Sequence, residues 1–191
     1  MDRSWLNAAK HLEFREPSPF LSRLRELEPK VARSRLSPSV RSLRTNSLKE
    51  WRQMREAAIF CVGMSARIGR TVYLAKSESH DYDFIASWVA DNTQHLAPVQ
   101  LKEVVPREVS PSSSIQATID SLPHKYVDSS DLTVAIYLNR VTRFGPTTIR
   151  IPPMNVAALW VFGAISPDKS QWGLWGDFLD KPEGTQFVCP A

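Results

Sequence analysis

Little in this chain points to the commonest metal and nucleophile chemistries. It has two cysteines, Cys61 and Cys189, far apart and without any CxxC or Cys/His ligand spacing, which argues against zinc and against a disulfide framework. Cys61 falls inside an apolar helical run and reads as a small buried hydrophobe. Seven glycines are spread along the sequence with no phosphate-cradling loop among them, and no motif presents a serine nucleophile to a histidine. His80, His95 and His124 stand singly at strand ends or turns, with no partner at metal-ligand spacing. No stretch approaches the roughly 18 apolar residues that a spanning helix requires, and the opening Met1-Asp2-Arg3-Ser4-Trp5 lacks the apolar core of a signal peptide. The expectation is a soluble, intracellular and cytoplasmic protein with no membrane partner.

What is present is a chain of 191 residues, 42% hydrophobic and 23% charged. That is enough for one well-buried domain with decoration and too short for two large ones. Charge is unevenly placed: residues 1–55 carry 13 Lys/Arg against 6 Asp/Glu, while the formal net charge of the whole is only +4. A basic segment on a near-neutral domain suits a polyanion such as nucleic acid, where affinity comes largely from neutralising phosphates. A solvated N-terminus explains the same charges equally well.

Within that segment, residues 4–14 and 19–36 have helical spacing, with Leu21, Leu24, Leu27 and Val31 on one stripe and Pro17, Pro29 and Pro38 bounding or breaking the runs. Short packing helices and a flexible arm are both open. Residues 33–44 are rich in Ser and Arg and read as a linker, which places an arm at 1–45 and the domain at 46–191. Ser47-Leu48-Lys49-Glu50 has the form of a capping box and opens a helix that runs to about Ile68, where Gly69 stops it. Its second half, from Ala57 to Ala66, is uncharged on every side and predicts a core helix.

Strands are expected at 71–75, 82–89 and 99–105, with Asp91 to His95 connecting the second to the third. A short helix capped by Ser112 to Ser114 and ended by Pro123 follows, then a strand at 132–138. Beyond these lie an expected short strand at 147–151 and two apolar strands at 158–165 and 172–179, joined by a turn at 167–170. Trp160, Trp172 and Trp175 are read as packing residues rather than base-stacking ones. The order of helix, three strands, helix, strand and β-rich extension makes an α/β sandwich the natural architecture.

One constellation could carry chemistry. Strand residues two apart share a face, so Gln100 and Lys102 point together, and Asp83 on the neighbouring strand shares a face with Ile85 and Ser87. If Asp83 lies opposite Lys102 the side chains meet, and a shift of one residue would separate them. A carboxylate, an amide oxygen and a backbone carbonyl are hard ligands suited to Mg²⁺. A nearby ammonium can orient a water or stabilise developing charge.

With these residues in that element order, residues 47–140 resemble the PD-(D/E)XK, or restriction-endonuclease-like, nuclease superfamily. Tyr82-Asp83 stands for the first part of the motif and Gln100-Leu101-Lys102 for the second, with Gln in place of the second acid and Tyr in place of Pro. The resemblance implies a central mixed β-sheet flanked by helices, here with a helical, basic N-terminal extension and a β-rich C-terminal one, and a Mg²⁺- or Mn²⁺-dependent nuclease, an endonuclease or exonuclease acting on DNA. Asp83 and Gln100 would then bind metal, and Lys102 would assist the attacking water. It also implies an acid from the leading helix, for which Glu56 is the better-placed residue because Glu50 is explained by the capping box. Arg33, Arg35, Arg41 and Arg44 would hold backbone phosphate. The alternative is a non-catalytic nucleic-acid-binding or protein-interaction module on the same fold, its metal site weakened by Gln100. A homodimer or a protein partner is left open.

Overall fold

The computed structural model describes residues 4–35, 37, 45, 48–77, 79, 81–143 and 145–190. Two short helices come first, α1 (Ser4–Ala9) and α2 (Pro17–Ala32), followed by the long α3 (Lys49–Ile68). Strands β1 (Tyr73–Lys76), β2 (Phe84–Ala90) and β3 (Thr93–Val104) come next. Then come α4 (Ile115–Asp120), α5 (Leu122–Lys125), β4 (Ser129–Leu138), β5 (Val156–Ala164), β6 (Gln171–Gly176) and β7 (Glu183–Val188). Among the described residues the seven strands form one mixed sheet in sequence order, β1 to β7. The β3–β4 and β4–β5 pairs are parallel and the others antiparallel.

The sheet curls around α3, which touches β1 and β3 on one side and β6 and β7 on the other. This explains why Ala57 to Cys61 are buried without a polar face between them. Phe60 is the hub, packing edge-on to Phe84 and tilted against Phe162. Tyr137, Trp172 and Phe187 continue the aromatic stack across β4, β6 and β7. Gly63 is where α3 meets β7: a Cβ there would lie 2.8 Å from the Phe187 ring, so only glycine allows this approach. Gly69 ends the helix in the left-handed conformation, φ 67°. The opposite face of the sheet carries a second core, with Ile85, Val104, Val134, Ile136, Leu159 and Val161 covered by α4, α5 and α1 through Ile119, Leu122 and Trp5.

Several local expectations are revised. In the described part of residues 1–45, Trp5 and Ala9 join the second core, Leu21 joins the first, and Arg15 bridges Leu74. Pro29 lies inside α2, one turn from its end, and costs the helix the amide that would bond the Arg25 carbonyl. Ser47 lies outside the described residues, and α3 starts from Leu48 with no side-chain cap. The β2–β3 connection is two residues, not five: Asp91 and Asn92 have φ of 50° and 58°, the conformation of a tight primed turn that Asp and Asn tolerate. Thr93 to His95 therefore belong to β3, and His95 stacks on Trp88. Pro123 starts α5 rather than ending α4, while Ser114 caps α4 by accepting from the Ala117 amide at 3.1 Å. The strand expected at 147–151 is replaced by a 3₁₀ turn at Pro146–Thr148, and β7 adds an edge strand. No described helix is long and apolar enough to cross a membrane.

Candidate functional site

The tight turn at Asp91-Asn92 sets the register of the hairpin above it. Pairing runs from Ala90↔Thr93 to Phe84↔Val99 and ends there, where the Asp83 amide, one residue out of register, donates to the Val99 carbonyl at 2.9 Å. Asp83 therefore lies just before the first paired residue of β2, with its carboxylate against the Gln100 side chain rather than opposite the expected partner Lys102. The Gln100 side chain meets the Asp83 carboxylate, and Lys102, two residues further along β3, shares its face with Gln100.

The Asp83 carboxylate is the centre of a hydrogen-bonded set. Oδ2 accepts from the Leu101 amide at 2.7 Å and from the Gln100 Nε2. Oδ1 accepts from the Nε2 of Gln53, one turn into α3, at 2.9 Å. Gln100 Nε2 also donates to the Leu101 carbonyl at 3.2 Å. Burial pushes the Asp83 carboxyl above the usual range, opposed by the Leu101 hydrogen bond and the charges of Lys102 and Lys49. The same burial lowers the affinity of Lys102 for its proton, and the Asp83 charge works against that. Lys102 makes no ion pair or hydrogen bond with another described residue; its Nζ lies over the Tyr126 ring, 5.3 Å from the centroid. The Tyr126 hydroxyl is pushed up to about 12, first by burial and then by the Asp83 charge.

On its other side Asp83 closes a cleft of about 270 Å³ lined by Lys49, Gln53, Lys76 and Ser77. Lys76 is held by Glu50, which leaves Lys49 exposed at the cleft mouth. Glu56 is not brought here. It lies about a quarter-turn round the helix from the cleft-lining stripe, buried, with Arg52 Nε 3.8 Å from its Oε1. The helix contributes Gln53 instead, and a search for acids passes over a neutral amide. Its sequence signal is the i, i+4 relation to Lys49 and Ala57, which also face the cleft. Arg33 ends α2 and Arg35 follows it, both exposed; Phe20, at the start of α2, stacks on Trp51 beside the cleft, so Arg33 sits about 20 Å further along the helix. Arg41 and Arg44 lie outside the described residues.

The donor chemistry at Asp83 fits a hard cation. Asp83 Oδ2 and the Leu101 carbonyl oxygen converge on the nitrogen of one amide, and turning that Gln100 amide presents Oε1 in its place at no steric cost. Carboxylate, amide and carbonyl oxygens are the ligands that Mg²⁺ and Mn²⁺ take. The set carries a single negative charge, and no described group of three or more His, Cys, Asp or Glu could hold a metal ion.

No family model matches the chain, and no curated protein or solved structure matches it. The geometry of the hairpin and α3 is therefore what a functional reading stands on.

Proposed function

We propose that the chain is a metal-dependent nuclease of the restriction-endonuclease-like fold, hydrolysing phosphodiester bonds in DNA with Asp83, Gln100 and Lys102 at its centre. The observation that carries the reading is the meeting of Asp83 and Gln100 at one end of the β2–β3 hairpin, with the Leu101 carbonyl sharing the Gln100 amide with Asp83 and the Lys102 charge within electrostatic reach. The succession α3, β1 to β3, α4 with α5, and a β4 parallel to β3 supports it, because that is the order the superfamily resemblance implies. A divalent cation, when bound, supplies polarisation of the scissile phosphate and acidification of a water.

The remaining work falls to the chain's own side chains. Asp83 and Gln100 hold oxygen donors at a fixed point, and Gln53 keeps the carboxylate turned by binding the oxygen that Gln100 does not use. The ammonium of Lys102, without an ion pair or hydrogen bond among the described residues, can donate to an attacking water or to a non-bridging phosphate oxygen as charge builds there. Lys49 and the arginines Arg33, Arg35, Arg41 and Arg44 neutralise backbone phosphate, so binding weakens as salt rises. The reading is tested by incubating wild-type protein and Asp83→Asn with end-labelled single-stranded DNA, duplex DNA and RNA in Mg²⁺ or Mn²⁺. Cleavage by the wild type, reduced at least about a hundredfold in Asp83→Asn, supports it; no cleavage of any substrate, or equal cleavage by both proteins, removes it.

One observation favours a second reading, a non-catalytic nucleic-acid-binding module. Asp83 is the one carboxylate of the set, and amide donors already occupy both its oxygens. Titration with Mg²⁺ separates the two readings: salt-sensitive DNA binding with no metal-induced change at Asp83 selects the module.

A further inference from the structure

Resting on the nuclease reading of Asp83 and Lys102, we propose that Tyr126 is a positioning residue whose ring face holds the Lys102 ammonium off the Asp83 carboxylate. An ammonium on the same face as a carboxylate of the next strand would be expected to close onto it, because a direct ion pair in a half-buried site is favourable. Here it does not: no contact of ion-pair length joins them, and the ammonium lies 5.3 Å from the Tyr126 centroid. That separation is within the roughly 6 Å over which an aromatic face attracts a cation. Three amide donors occupy the Asp83 oxygens in place of the lysine. The ring and the amides act in concert, one drawing the cation away and the others filling the place it would take.

The ring is well anchored for this purpose. Tyr126 terminates α5, its amide donating to the Leu122 carbonyl at 3.0 Å. Leu122 is fully buried in the second core, against which Tyr126 also packs. Tyr126 thus joins the α5 end to the β3 site residue, and its hydroxyl, which has no described partner, is not needed for the contact. The ring, not the phenol, carries the role. The consequence for the reaction is that both charges remain available, Asp83 to its oxygen-bound ligand and Lys102 to a water or phosphate.

The test compares the wild type with Tyr126→Phe and Tyr126→Leu, using proton–carbon NMR of the Lys102 ε-methylene, which is shifted upfield when it lies over an aromatic face. The expected result is an upfield signal in wild type and in Tyr126→Phe, and its loss in Tyr126→Leu. Cleavage at saturating substrate should fall about three- to thirtyfold in the Leu variant, with full activity in the Phe variant. An ordinary lysine shift in the wild type overturns the proposal without any variant, as does an upfield shift that survives in Tyr126→Leu or is lost in Tyr126→Phe. The NMR signature does not depend on turnover, so a protein without nuclease activity that retains it would refute the nuclease reading and leave the Tyr126 contact standing.

Discussion

The two halves of α3 face different demands. From Ala57 to Gly63 the helix is enclosed by the curled sheet and buries Ile59, Phe60 and Cys61 against β1, β3, β6 and β7. From Lys49 to Met54 it is open along one side, and Gln53 reaches across to the Asp83 carboxylate. The carboxy-terminal half obtains its rigidity from apolar packing and can therefore hold the amino-terminal half, with its polar atoms half in water, at a fixed distance from the hairpin. A site built on loops would have no such support.

Truncation separates the halves most sharply. Phe60→Ala removes a ring packed on Phe84 and Phe162 and should cost about 3–5 kcal/mol of unfolding free energy. Gln53→Ala, by contrast, removes one hydrogen bond to a half-exposed carboxylate and should cost about 1 kcal/mol. Chemical denaturation of both variants checks the comparison; equal losses would mean that the amino-terminal half is as structural as the core.

Gln100→Glu changes the site half alone. A second carboxylate beside Asp83 gives the oxygen set another negative charge, and Mg²⁺ affinity measured by calorimetry should rise about tenfold or more. Without metal the two carboxyls repel, so the pair should take up a proton at higher pH than Asp83 does by itself. Unchanged affinity would place any metal elsewhere.

The smallest effect is on stability against pH. Burial raises the carboxyl of Asp83 in the folded state above its unfolded value near 3.8, so the folded chain holds this proton more tightly than the unfolded one. The contribution is therefore fully present below the unfolded value and is lost as pH climbs through the raised folded value. Relative to Asp83→Asn, the wild type should lose stability as pH rises across the carboxylate range. A gain over that interval in urea titrations would show that the hydrogen bonds and lysines outweigh burial.

Much of the architecture was legible because its signals are local. The uncharged run of α3 announces enclosure, and the β-branched runs of β2, β4 and β5 announce strands. The register of the β2–β3 hairpin was also written in the chain, in Asp91-Asn92: read as a two-residue turn, it places Phe84 opposite Val99 and so Asp83 beside Gln100. Reading the connection as five residues leaves that open. Other features had no local signal. Glu183 to Val188 form a strand with Phe187 as its one buried residue, so the alternation is too sparse to stand out. Gln53 is recognisable only once α3 and the hairpin are in place. The contact of Lys102 with Tyr126 spans β3 and the end of α5, and no spacing along the chain encodes it.

The central claim is that the face carrying Asp83, Gln100 and Lys102 cleaves nucleic acid, and substitution of Lys102 tests it most directly. Lys102→Ala removes an ammonium that has no ion pair or hydrogen bond to a described residue, so the thermal midpoint should change little. Cleavage of labelled DNA in Mg²⁺ by the folded variant should then fall at least about a hundredfold. Undiminished cutting would contradict the account.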